Sequence, residues 1–302
     1  MKALYDVPAP AKLNLFLHVV GRRADGMHLL QSVFMLIDWS DTLHFESRPG
    51  GKISREDLGA ALPPNDLVLR AARALQQASG TACGAHIAIE KRVPAQAGMG
   101  GGSSDAASCL LALNRLWNLG YRLPELMRIG LALGADVPFF LGGRNAKVEG
   151  IGDRIEPLDL PPGRFAVVKP PEGLETARIF ADPQLKRDSE PAIISGFAAN
   201  PSGELGRSPD GRFPEKPYRL GRNDLQPVAQ RLCPSVTEAL EWLGSQGLEG
   251  RMTGSGSAVF AWLAPGKVLQ TAPAGWQARE CGNLEAHPLM GWAPSDDSSV
   301  GG

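Results

Sequence analysis

Residues Pro94 to Ser108 read Pro-Ala-Gln-Ala-Gly-Met-Gly-Gly-Gly-Ser-Ser-Asp-Ala-Ala-Ser. Gly98, Gly100, Gly101 and Gly102 let the backbone turn with positive φ and come close to a ligand. Ser103, Ser104 and Asp105 follow at the point where a helix is expected to open. Free N–H groups and the positive end of a helix dipole make such a point an anion site. The chemistry this implies is the cradling of phosphates. No lysine follows the glycines, so a Walker loop is excluded, and the Gly-x-Gly-x-x-Gly dinucleotide spacing is absent. Backbone and hydroxyl groups must therefore hold the phosphates.

Two further places carry charge where chemistry could use it. Ala9 to Val20 alternates, with Leu13, Leu15, Leu17 and Val19 on one face and Lys12, Asn14, Phe16 and His18 on the other. Lys12 and Asn14 then project together, either as the wall of a site or as part of a solvated strand face. Asp136 lies in Gly134-Ala-Asp-Val-Pro-Phe-Phe-Leu-Gly-Gly143, among apolar neighbours where an unpaired charge is costly. It either caps the short helix that follows or is held charged by a cation.

The elements that would position these groups follow from periodicity and turn residues. Strands are predicted at 9–20, 32–37, 41–47 and 85–92, the last leading into the glycine loop. Asn65-Asp66 predicts a cap for a helix carrying Leu67, Ala71, Ala72 and Leu75, with Gly80 just past its end. The loop opens a helix over 106–117, and another runs over 124–133 with Pro124 in its first turn. Pro49 to Pro64 and the Pro-, Gly- and Ser-rich stretch Asp188 to Tyr218 predict irregular excursions. Later come a strand at 165–169, a short helix at 176–181, helices at 225–232 and 235–246, and a strand at 258–263. Arg251 to Ser257 is a second glycine-rich turn, and 286–302 predicts a tail with little to pack.

The whole chain narrows the class. Its 302 residues allow two modest domains. Net charge is −1, which gives no basic field for nucleic acid or a membrane surface. Cys83, Cys109, Cys233 and Cys281 are far apart, which speaks against a zinc site or disulfide framework and for a reducing cytoplasm. The opening Met-Lys-Ala-Leu-Tyr-Asp lacks the apolar core of a signal peptide, and no apolar run reaches membrane-spanning length.

Pro8-Ala-Pro-Ala-Lys-Leu-Asn-Leu-Phe-Leu, the 98–108 loop and Arg251-Met-Thr-Gly-Ser-Gly-Ser-Ala-Val-Phe resemble, in order, the three motifs of the GHMP kinases. Arg22-Arg-Ala-Asp-Gly-Met-His-Leu-Leu-Gln and Gly134-Ala-Asp-Val-Pro-Phe-Phe narrow the resemblance to the branch whose substrate carries a cytidine diphosphate. The resemblance covers roughly 9–262. It implies an α+β, two-domain fold with the active site in the cleft between an ATP-side domain at 1–157 and a second domain at 158–285. It also implies ATP-dependent, Mg²⁺-dependent phosphorylation of an alcohol in isoprenoid biosynthesis, by a cytoplasmic monomer or weak homodimer. No residue is expected as a dedicated metal ligand, since phosphate supplies much of the coordination.

Residue by residue, the resemblance makes Asp136 the base and Lys12 its neighbour. Asn14 falls near the transferred phosphate. Pro94, Gly98, Met99, Gly100, Gly101, Gly102, Ser103, Ser104 and Asp105 fall in the ATP loop. His28, Phe180 and Thr176 fall in the cytosine pocket. Met27 stands where the family usually carries the tyrosine of a cytosine sandwich; it is apolar and polarizable but lacks aromatic surface. A kinase for another small alcohol, and a non-catalytic nucleotide- or RNA-binding module on the same scaffold, are the competing readings.

Overall fold

A computed structural model describes residues 2–192 and 221–295. The chain opens with two long strands, β1 (Ala3–Arg22) and β2 (His28–Arg48), paired antiparallel around the 23–27 turn. β2 is one continuous strand where the sequence predicts two, because Ser40 and Asp41 between the apolar runs still pair with Pro10 and Ala9 of β1. β3 (Ile53–Asp57), α1 (Leu67–Ser79) and β4 (Gly84–Glu90) form a parallel crossover. β3 lies inside the predicted excursion at 49–64. α1 starts at the Asp66 cap, whose side chain accepts the Leu69 N–H at 3.1 Å, and ends at left-handed Gly80.

The glycine loop leads into α2 (Gly101–Leu116), which begins five residues before the apolar spacing starts. Nearly all of α2 from Ser104 onward is buried, so this helix is the axis of the first layer rather than a surface element. α3 (Leu123–Leu133), α4 (Val137–Gly142), β5 (Ala146–Gly150) and β6 (Arg154–Pro157) complete that half. The second half holds β7 (Arg164–Lys169), α5 (Thr176–Ala181), α6 (Gln226–Leu232), α7 (Ser235–Ser245), β8 (Arg251–Met252), β9 (Val259–Leu263) and β10 (Gln277–Gly282). Most of the 188–218 excursion lies outside the described residues.

The strands form a six-stranded sheet, β3-β4-β2-β5-β6 with β1 beside β2, and an antiparallel four-stranded sheet, β10-β7-β9-β8. Three apolar cores explain the layering. α1 to α4 pack on the outer face of the first sheet through Leu75, Leu110, Leu113 and Phe140. The two sheets face each other through Leu13, Leu15, Met35, Phe165, Val167 and Phe260. α6 and α7 cover the second sheet through Val228, Val236 and Leu243.

β1 is therefore buried on both sides, not half-buried as its alternation suggests. A register irregularity between Asn14 and Leu17 also puts Phe16 in the same core as Leu13 and Leu15. The stretch after β10 departs from the sequence expectation too. Residues 286–295 pack on the first half: His287 N–H donates to the Gly143 carbonyl at 2.8 Å, Leu123 N–H donates to the Pro294 carbonyl at 2.9 Å, and Leu289 and Ala293 are buried. Two buried apolar side chains and two anchored backbone groups hold it there.

Candidate active site

The glycine loop, β1, α4 and α5 surround a cleft of about 880 Å³. Gly98 and Gly100 take φ of 70° and 71°, and Gly100 is the N-cap of α2. Helix geometry leaves the N–H groups of Gly101, Gly102 and Ser103 without intrahelical partners, while Ser104 N–H already donates to the Gly100 carbonyl at 2.9 Å. The open end of α2 thus faces the cleft with three donors and a positive dipole. Glycine is needed here for space as well as for φ. A Cβ on Gly100 would lie 2.9 Å from the Phe140 ring and 3.3 Å from the Lys12 stem.

Lys12 is buried beneath this loop with its ammonium group surrounded by acceptors. Nζ donates to Asn14 Oδ1 and, at 3.1 Å, to the Gly98 carbonyl; Asp136 Oδ2 lies 3.7 Å away. The Phe34 ring closes the remaining side at 4.6 Å. Burial lowers the Lys12 pKa, and the attraction of Asp136 works against that fall. Asn14 is oriented from behind: Nδ2 donates to Ser32 Oγ at 3.0 Å, and Ser32 donates to the Phe16 carbonyl. Asp136 makes no capping bond to α4, and its side chain is 32% exposed toward the cleft. Of the two readings open for Asp136, the cation partner is the one realised.

A second charged cluster underlies the loop entrance. Lys91 pairs with Asp41 and with Asp105 at 2.6 Å. Asp41 is fully buried and also accepts the N–H groups of Arg92 and Val93, at 2.5 and 2.7 Å. Burial works against the charge of Lys91, yet Asp105 and Asp41 outweigh it and raise its pKa. Burial raises the Asp105 carboxyl against the pull of Lys91. Among the described residues, its Oδ1 atom has no hydrogen-bond partner.

Most of the residues singled out by sequence meet in the cleft. Asn14, Pro94, Gly98, Met99, Gly100, Gly101, Gly102, Ser103, Asp105, Thr176 and Phe180 all line it with Lys12 and Asp136. Ser104 does not. Its buried hydroxyl donates to the Pro10 carbonyl at 2.7 Å, so it ties α2 to β1 instead of facing phosphate. His28 and Met27 are not among the residues that line the cleft: the His28 ring lies 4.9 Å from that of Phe180, which does line it, and Met27 is 49% exposed.

Sequence reasoning passed over Ser32, Lys91, Asp41 and Thr253. Thr253 Oγ1 accepts the Asn14 N–H at 2.9 Å, and the 251–257 turn packs against the loop. Lys91 had a signal, since it immediately precedes the loop; Asp41, fifty residues away in sequence, had none.

Comparison with known proteins agrees with this geometry. The GHMP kinases N terminal domain matches residues 66–144 and the GHMP kinases C terminal domain matches 213–278. A 4-diphosphocytidyl-2-C-methyl-D-erythritol kinase from Albidiferax ferrireducens is 66% identical, covering 100% of this chain and 99% of its own. The chain belongs to this kinase family. A relative of the same name from Variovorax paradoxus is 64% identical over 97% of this chain and 100% of its own. The crystal structure of a 4-(cytidine 5'-diphospho)-2C-methyl-D-erythritol kinase superposes with a TM-score of 0.69 at 33% identity, covering 93% of this chain and 99% of that one. Membership of the family carries the two-lobed GHMP kinase fold and ATP-dependent phosphoryl transfer with it. Among the described residues, no helix is long and apolar enough to cross a membrane.

Proposed function

We propose that this chain transfers the γ-phosphoryl group of ATP to the 2-hydroxyl of 4-diphosphocytidyl-2-C-methyl-D-erythritol, giving the 2-phosphate and ADP, a step of the non-mevalonate route to isoprenoids. The observation that carries the reading is the Lys12–Asp136 pair, 3.7 Å apart, beside the open end of α2. Phosphoryl transfer needs chiefly positioning and charge stabilisation. The free N–H groups of Gly101, Gly102 and Ser103 would hold ATP phosphates. Asp136 takes the proton of the substrate hydroxyl as that oxygen bonds to the γ-phosphorus and the bond to the β-phosphate oxygen breaks. Lys12, 3.7 Å from the Asp136 carboxyl, offsets charge on the group in transfer.

Among the described residues, no three His, Cys, Asp or Glu side chains converge on a cation. The cleft is lined by the carboxyl groups of Asp66, Asp105, Asp136 and Glu175 and the Ser103 hydroxyl, no three carboxyls of which converge, a set that suits Mg²⁺ held mainly through phosphate oxygens and water. Such an ion, when bound, neutralises charge on the phosphates. Residues 1–157 serve as the ATP-side domain and 158–285 as the second domain. His28, Phe180, Thr176 and Met27 receive the cytosine end of the substrate. The chain acts as a monomer or weak homodimer in this reading, and the four free cysteines fit a reducing cytoplasm.

A coupled ADP-release assay with Mg-ATP tests the reading, with homoserine and mevalonate beside the cytidyl substrate. Turnover with the cytidyl substrate alone is expected. Turnover only with another alcohol would leave the kinase standing and discard the cytosine pocket.

A further inference from the structure

Arg187 lies just after α5 and makes four hydrogen bonds with one guanidinium group. Nη2 donates to the carbonyls of Phe180 and Asp182 at 3.1 and 2.8 Å, and Nη1 donates to the Leu185 carbonyl at 2.9 Å. Nε donates to His28 Nε2 at 3.0 Å. Guanidinium has no acceptor atom. His28 Nε2 must therefore be the bare nitrogen of a neutral ring, and the proton of that ring is on Nδ1. Burial, with Arg187 and the cross-strand neighbour Arg22 close by, also lowers the His28 pKa and keeps the ring neutral. Among the described residues, Nδ1 has no hydrogen-bond partner, although Nε2 is engaged.

We propose that Arg187 is a positioning residue for base recognition: it fixes His28 as an Nδ1–H donor and ties it to the Phe180 wall of the pocket. This rests on the cytidyl-substrate reading above. Cytosine presents two adjacent acceptors, N3 and O2, so a donor held in place is what its edge requires. Free neutral histidine in water favours the other tautomer, with the proton on Nε2. Without Arg187, binding the base would first require that preference to be reversed. The same guanidinium holds the Phe180 backbone, so donor and ring wall stay in register at 4.9 Å. That rigidity counts in a pocket where Met27 replaces a second aromatic wall.

The test uses the full chain. Nitrogen-15 NMR of the unliganded protein, with His28 assigned by its loss in His28→Gln, is expected to show the Nδ1–H form, shifting toward Nε2–H in Arg187→Met. Steady-state kinetics should then show the KM for the cytidyl substrate raised about tenfold in Arg187→Met at about pH 8, with the ATP KM changed less than about twofold. At about pH 6 the gap should narrow, because a doubly protonated His28 carries Nδ1–H whatever its neighbour. On a His28→Phe background, Arg187→Met should change KM less than about twofold, which a purely structural role would not produce. An Nε2–H tautomer in the wild type overturns the proposal, and that spectrum needs no Arg187 variant to fold. Equal losses with and without His28 overturn it as well. Absence of wild-type turnover with the cytidyl substrate would instead reject the substrate reading, and the base-recognition role with it.

Discussion

Gly98 of the phosphate loop and Gly254 of the second glycine turn lie backbone against backbone. A Cβ on Gly254 would stand 2.5 Å from the Gly98 carbonyl oxygen, and a Cβ on Gly98 would stand 2.2 Å from the Thr253 carbonyl oxygen. That Gly98 carbonyl is also an acceptor for Lys12. Gly254→Ala should therefore displace the loop and loosen Lys12 together. We expect turnover to fall at least tenfold, with a stability loss of about 1–3 kcal/mol from strain at positive φ. An ADP-release assay and thermal unfolding would check the two parts.

Asp136→Asn removes the proton acceptor while keeping its shape, and should lower kcat by about 10²–10⁴ with ATP affinity largely retained. Lys12→Ala should also remove most turnover. In addition it strips partners from the buried Asn14 Oδ1 and the Gly98 carbonyl, at a cost of about 1–3 kcal/mol. Near-normal turnover in purified Asp136→Asn protein would discard the base assignment.

Among the described residues, Lys91 is the cation paired with both Asp41 and Asp105. Lys91→Met should destabilise the fold by about 3–5 kcal/mol, because it removes the cation paired with the fully buried Asp41. Asp105→Asn should cost much less, since burial already favours the neutral carboxyl there. Comparable losses in urea unfolding of the two variants would contradict this account of the cluster.

His287 gives the fold a sensitivity to acid. Burial lowers its pKa to about 4, and its Nδ1 accepts the Leu289 N–H at 3.0 Å, which requires the ring to be neutral on that side. The unfolded chain takes up this proton near pH 6.5, the folded chain only near pH 4. Stability from this residue is thus complete above about pH 6.5 and is lost as pH falls toward 4, by about 3 kcal/mol in all. His287→Asn keeps an acceptor without the titration. Its unfolding free energy should vary less between pH 7 and pH 5 than that of the wild type.

Met27→Tyr should keep or improve the apparent affinity for the cytidyl substrate, because position 27 is exposed and adjoins His28, whose ring contacts Phe180. Substrate titration would measure it. A large loss of affinity would show a pocket built on other walls.

The site was more legible than the scaffold. Glycine spacing, the Asp66 and Gly80 caps and the isolated Asp136 are local signals, each with a local physical cause. What stayed hidden depends on distant partners. β3 contains a single apolar residue, Ile53, and gains its place from pairing with β4 and from Arg55 bridging Asp57 and Asp66. The alternation of β1 was real but could not reveal that a second sheet covers its other side. Ser104 looked like its neighbour Ser103, and only the approach of β1 separates their tasks.

The packed stretch 286–295 has a consequence for how the protein can be divided. Chain that has already completed β10 in the second half returns to cover α3 and α4 in the first, placing Leu289 and Ala293 in the core those helices share. The first half is therefore not finished by its own N-terminal sequence. A fragment ending at 157 would leave this surface bare; joining it by a short linker to 284–295 would cover α3 and α4 but not the face of β1 that packs on Phe165, Val167 and Phe260. Splitting the gene for complementation should succeed only where both pieces respect that return.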